Sequence, residues 1–352
     1  MALAARGHHV TVVMKSRGMP PTEDQRELDE HSSTCSPAGS AVVQAVSARG
    51  VGPIGGEARY TFGVSRLLVR HRSDVDFVVS RHVAGGAFAS RLGIPTVLDL
   101  HSDPSATAIE RMAMGSFLRR VGQVGVSFNT SALAEHCAKQ FPQLDSLPQV
   151  VAPNGSRPIE TRDKRSHSIG YVGSVQRGKG VELVLDLATR LPDHEFHIAG
   201  GDRETLERIG SCPANVVTHG RLSHDEARAL ISQLEIALLP SEAVQIGPRG
   251  GSDYGSWTSP MKLFEYMAAR CVVVASALPA LREVLVDGSN AVLAPSGDVE
   301  SWQRAIAHLT TDRDYRVRLA DRAFQDWSDR YRWDHRAEAI MTLAGRVCRG
   351  EP

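Results

Sequence analysis

The residues with most to offer chemically lie next to short apolar runs. In Thr258-Ser259-Pro260-Met261-Lys262-Leu263-Phe264-Glu265, Ser259 can cap the first free backbone N–H groups of a helix, and Pro260 sits where its missing N–H costs nothing. The start of such a helix, with unsatisfied N–H groups and the positive end of the dipole, is a ready site for a phosphate or diphosphate. Glu265, further along, could accept hydrogen bonds from a sugar diol attached to that phosphate. The competing reading is an i, i+3 pair of Glu265 with Lys262 on a solvated face, which contributes only about 0.2–0.5 kcal/mol.

A second anion-handling run is Gly173-Ser174-Val175-Gln176-Arg177-Gly178-Lys179-Gly180. It follows a strand-like stretch over 168–172 and precedes a helical pattern over 181–191. Strand, glycine-rich loop and helix form an anion-binding arrangement. The Walker spacing is absent, so a P-loop is excluded, and a solvated basic turn stays open. The third candidate is His101, in His101-Ser102-Asp103-Pro104 directly after a strand-like run over 95–100. Open α/β sheets bind ligands beyond the carboxyl ends of their strands, which suits His101 for chemistry. A histidine at a strand end also serves as an ordinary structural residue.

These residues need elements to hold them. Leu263, Phe264, Met267 and Ala268 recur at helical spacing, and 271–275 is a continuous apolar run of the kind buried on both faces of a sheet. Further strands are expected over 75–79, 95–100, 124–128, 168–172, 195–199, 215–219, 235–239 and 290–293. Helical patterns alternate with them over 60–70, 83–92, 108–120, 131–140 and 181–191, and amphipathic helices run to Arg330. Such alternation predicts parallel sheets. The glycine-rich stretch over 242–257 is long for a compact domain, which marks a binding loop or lid. At the amino end, Leu3 to Arg6 reads as the last turn of a helix, Gly7 as its cap and 10–13 as a strand, while 18–56 reads as loops with at most one short strand.

A chain of 352 residues is too long for one ordinary core. Pro153-Asn154-Gly155 forces a turn, and the polar stretch after it suits a linker. We therefore expect domains over 1–156 and 157–332 and a final helix over 333–352. Lys plus Arg and Asp plus Glu number 40 each, so net charge offers no argument for a nucleic-acid partner and any anion site must be local. The five cysteines, Cys35, Cys137, Cys212, Cys271 and Cys348, show neither zinc spacing nor a disulfide framework. No run approaches the roughly 18 apolar residues that span a bilayer. A cytoplasmic location is expected, with peripheral membrane contact left open. No Asp-x-Asp or histidine cluster suggests a metal.

The run from Thr258 to Ser276, with Lys179 in its glycine loop and Pro153-Asn154-Gly155 between the halves, resembles the nucleotide-sugar-binding signature of GT-B fold retaining glycosyltransferases, family 4 or group 1. The resemblance spans nearly the whole chain and is strongest over 153–298. It implies two doubly wound, Rossmann-like α/β domains facing across a cleft, the nucleotide in the second, the acceptor in the first, and a last helix returning to the first. It implies a nucleotide-diphosphate sugar as donor, no other cofactor and no metal, retention of configuration, and a saccharide, lipid-linked or small-molecule acceptor. The donor-binding residues implied are Gly173, Ser174, Arg177, Lys179, Thr258, Ser259, Pro260, Met261, Lys262 and Glu265. Among them Lys179 faces the diphosphate and Glu265 holds the ribose hydroxyls. His101 lies beside the donor sugar as a positioning contact. The chain departs from the pattern at Ser174, where an arginine is usual and Arg177 is the nearby substitute. It departs again at Trp257, eight positions before Glu265, where a further glutamate is usual and Glu242 is the stand-in. A strand and glycine-rich turn usually precede the residues matching Leu3. Two rivals follow: a nucleotide-sugar epimerase, for which no acid–base pair is evident, and a non-catalytic nucleotide-binding remnant.

Overall fold

The computed structural model describes residues 9–16, 41–47, 56–120, 122–160, 164, 168–243, 257 and 259–351. The chain divides into two compact units. The second comprises Asn129–Glu135 and Pro153–Arg336, and the first comprises Met1–Phe128, His136–Ala152 and Ala337–Pro352.

The second unit is built on six parallel strands: β7 (Ser168–Val172), β8 (Glu195–Ala199), β9 (Val216–Thr218), β10 (Ile236–Leu239), β11 (Val272–Ser276) and β12 (Val292–Ala294). Their order is β12-β11-β10-β7-β8-β9. Side chains alternate between two cores. Ala237, Leu239, Val273 and Ala275 face one core with residues of α7 (His224–Gln233), α8 (Met261–Ala268) and α11 (Arg313–Arg330). Ile236, Leu238, Val272 and Val274 face the other with residues of α5 (Val181–Arg190) and α10 (Val299–Thr311). Burial on both faces explains why these strands read as unbroken apolar runs, and helices on both faces make the sheet doubly wound. The unit also contains two short helices, α6 (Arg203–Glu207) and α9 (Pro279–Arg282).

The first unit contains a parallel four-stranded sheet in the order β3 (Val78–Ser80), β4 (Thr96–Leu100), β5 (Val124–Phe128), β6 (Gln149–Val151). A parallel pair, β1 (Val10–Ser16) and β2 (Ala41–Ser47), stands apart from it, with no described strand between. Helices α1 (Gly56–Arg70), α2 (Val83–Arg91) and α3 (Ala108–Leu118) belong to this unit. Helix α4 (Ser131–Gln140) begins in the second unit and ends in the first, and so does α12 (Trp333–Arg349). The expected helix turn over 3–6 and most of 18–56 lie outside the described residues.

Several boundaries differ from the sequence reading. The strand expected over 75–79 is β3 at Val78–Ser80, preceded by a 3-10 turn over Arg72–Asp74. The Asp74 N–H donates to the His71 carbonyl at 3.0 Å, which closes that turn. Pro153-Asn154-Gly155 forms no turn. A Cβ at Gly155 would lie 2.7 Å from the Tyr331 carbonyl oxygen, so the glycine serves a close approach of two backbone segments.

Candidate functional site

The carboxyl edge of the second unit's sheet collects most of the expected residues. After β7 the chain enters 173–180, and three contacts shape this loop. The Tyr171 hydroxyl donates to the Ser174 carbonyl at 2.9 Å. The Glu242 N–H donates to the Gly178 carbonyl at 3.0 Å. Gly180 precedes α5 with φ 71, and a Cβ there would fall 1.9 Å from the Pro240 carbonyl oxygen, so no other residue fits. Ser174 and Arg177 are exposed on this loop, Gly173 and Lys179 half-buried. Burial pushes the Lys179 ammonium below the usual lysine range.

Helix α8 starts differently from the sequence expectation. Ser259 is not its cap. Pro260 holds the cap position in extended backbone, φ −73 and ψ 122, with no side-chain cap bond. The fixed proline φ and extended ψ delay the helix to Met261, which leaves Ser259 one residue outside the cap. Its carbonyl instead accepts from Asn154 Nδ2 at 3.3 Å. Met261 is exposed at the first helical position, and Thr258 lies outside the described residues, as do 244–256 of the glycine-rich loop. At Trp257 the backbone carbonyl accepts from Thr130 Oγ1 at 3.1 Å.

Glu265 is one turn into α8 and only 3% exposed. Lys262 Nζ lies 2.6 Å from its Oε2. The pair expected on a solvated face therefore exists, but on a buried carboxylate. Each oxygen of a carboxylate has two lone pairs, so a carboxylate paired with one ammonium can still accept from a further donor. Next along the helix, the Tyr266 hydroxyl accepts from the Val172 N–H at 2.9 Å and donates to the Val172 carbonyl at 3.3 Å. One buried hydroxyl thus ties α8 to the last residue of β7, immediately before Gly173.

His101 belongs to the first unit. Its Nε2 lies 3.0 Å from Asp99 Oδ2, and Ser127 Oγ donates to Asp99 Oδ1 at 3.0 Å. A carboxylate held from its other side thus orients the imidazole. Nearby, Asp103 receives the Ser105 N–H at 2.8 Å and lies 3.1 Å from His136 Nε2. Burial would raise the Asp103 carboxyl, but bonds from Ser105, His136 and Gln140 outweigh it and hold it below the usual carboxylate range. Among the described residues no group of three His, Cys, Asp or Glu side chains is placed to hold a metal ion, and no helix is long and apolar enough to cross a membrane.

Comparison with known proteins decides the family. A model described as glycosyl transferase 4-like domain matches residues 1–155, and one described as glycosyl transferases group 1 matches 166–312. The chain belongs to the group 1, family 4 glycosyltransferases. This glycosyltransferase is 21% identical over 255 residues to an uncharacterized glycosyltransferase of Methanocaldococcus jannaschii, a match covering 71% of the chain and 68% of the relative. It is 26% identical over 162 residues to the alpha-D-kanosaminyltransferase of Streptomyces kanamyceticus, covering 44% of the chain and 39% of that relative. Its fold is GT-B. The Anabaena protein HepE, solved in complex with UDP and glucose, superposes with a TM-score of 0.69 at 15% identity, covering 96% of this chain and 100% of that one.

Sequence reasoning about this glycosyltransferase missed Tyr266, Asn154 and His224, whose Nε2 lies 3.6 Å from Glu265 Oε1. One signal for His224 was legible: Ser223 and Glu226 form a capping box that fixes His224 as the first residue of α7.

Proposed function

We propose that the chain transfers a glycosyl group from a nucleotide-diphosphate sugar held on its second unit, with retention of configuration and without a metal. The observation that carries this reading is Glu265, a buried carboxylate paired with Lys262, one turn inside a helix whose start has no side-chain cap. A ribose diol suits the carboxylate, and a diphosphate suits the free N–H groups. As the glycosidic bond breaks, negative charge grows on the leaving diphosphate. Lys179, whose depressed basicity reflects a cation short of solvation, gains most when that charge appears. Arg177, exposed on the same loop, supplies a second cation where Ser174 stands in the usual arginine position. His101, oriented by Asp99, is the contact for the transferred sugar or the acceptor.

HepE is described with UDP and glucose, which supports a nucleotide-sugar donor. The acceptor proposed is a saccharide, a lipid-linked sugar or a small molecule. Release of free nucleotide from UDP-, GDP- and ADP-sugars, with and without acceptors, tests the reading. Acceptor-dependent release from one donor that persists in a chelator is expected. No release from any donor, or release abolished by the chelator and restored by a divalent cation, contradicts it.

A further inference from the structure

Glu265 is flanked by two cations of different kinds, and only one of them titrates near neutrality. Lys262 reaches Oε2 at 2.6 Å from the same helix. His224, 45% exposed at the start of α7, reaches toward Oε1 at 3.6 Å. That separation is beyond a hydrogen bond for a neutral imidazole, but close enough for an imidazolium to draw the oxygen in. Among the described residues, Glu226 of α7 and Asp321 and Asp326 of α11 have partners of their own. Glu226 of α7 accepts from the Ser223 N–H at 2.8 Å, which helps hold its carboxyl below the usual range. Asp225 follows His224 in the first turn of α7. From α11, Asp321 pairs with Arg270, and Asp326 accepts from Arg322 and from Asn290. His224 thus places beside Glu265 a side chain of the type that changes charge near neutral pH.

We propose that His224 is a positioning residue for donor binding: by its charge it sets whether Oε1 of Glu265 is available to the donor's ribose diol. This rests on the reading that Glu265 holds that diol. The diol hydroxyl and the imidazolium compete for one oxygen, so the bound state favours neutral His224, and the proton it loses passes to the buffer. A group less basic in the bound state than in the free one weakens binding as the pH falls through its free-state value. Donor affinity is thus full in weakly alkaline solution and declines in mildly acid solution.

Calorimetric titration of the full chain with UDP-glucose, GDP-mannose and ADP-glucose tests this. A pyrophosphate diester does not titrate in the range used, so any proton uptake or release belongs to the protein. With the tightest of the three, wild type is expected to bind about threefold to tenfold more weakly at about pH 5.5 than at about pH 7.5. At about pH 6.5, two buffers of different ionisation heat should reveal release of a fraction of a proton. The variant H224Q should show equal affinity at both pH values and no proton release. If H224Q keeps the wild-type pH dependence, the proposal is overturned. E265Q separates this failure from that of the underlying reading. Weakened binding by E265Q beside an unaltered H224Q defeats only the role of His224. Wild-type binding by E265Q, or no binding of any donor by folded wild type, defeats the diol reading and the proposal with it.

Discussion

Lys179 is a half-buried cation on a loop whose backbone is held at Ser174, Gly178 and Gly180. Replacing it with alanine should leave the loop in place and remove one charge-assisted contact, about 1.5–3 kcal/mol. We expect Lys179→Ala to weaken a nucleoside diphosphate roughly tenfold to a hundredfold and the bare nucleoside not at all, measured by calorimetry. Equal weakening of both would place Lys179 away from the phosphates. At this scale the sequence was partly legible. Glu265 stood out because a carboxylate interrupts the helix's apolar spacing, and Lys179 because it lies among glycines after a strand. That Glu265 is 3% exposed was not legible, since burial on α8 depends on α7, α11 and β11, distant in sequence, packing against it. The cap was misread at Ser259 because a serine before a proline has the right composition for a cap, while the backbone of Pro260 decides where the helix starts.

At the scale of elements, the junction of β7, its glycine loop and α8 matters most. Gly180 combines φ 71 with a carbonyl oxygen 1.9 Å from where a Cβ would sit, so Gly180→Ala must move either the loop or the segment at Pro240. The expected cost is about 1–3 kcal/mol or more, read as a lower melting temperature and a loss of donor affinity greater than that of Lys179→Ala. A variant that melts and binds like wild type would mean that the loop is not held as described. The strands of the second unit were legible almost to the residue, because burial on both faces leaves an unbroken apolar run such as 271–275. The end of α9 at Arg282 was not: beyond it the Asn290 side chain donates to the Val284 carbonyl at 3.1 Å and accepts from the Val286 N–H at 2.8 Å, which holds the following segment in a turn. A side-chain bond to the backbone four to six residues away leaves no periodic trace.

At the scale of the whole molecule, the two units have separate cores, and the last helix contributes to the first of them. Leu343, Ala344 and Val347 pack with Val97 of β4. Leu343→Ala should therefore destabilise the first unit by about 2–5 kcal/mol. Calorimetric melting is expected to resolve two transitions. The variant lowers one, and a nucleoside diphosphate at about a hundred times its Kd stabilises the other by about 2.7 kcal/mol. A ligand that raises the transition lowered by Leu343→Ala would contradict placing the nucleotide on the second unit. The central claim is that this glycosyltransferase holds its donor's ribose on Glu265, and a double cycle tests it most directly. Wild type and Glu265→Gln are titrated with the ribonucleotide and its 2′,3′-dideoxy analogue, with thermal melts to verify folding. The substitution keeps the shape and one acceptor oxygen but removes the charge, so the ribonucleotide should weaken roughly tenfold to a hundredfold and the dideoxy analogue far less. Equal effects on both ligands, giving a coupling energy of zero, would contradict the account.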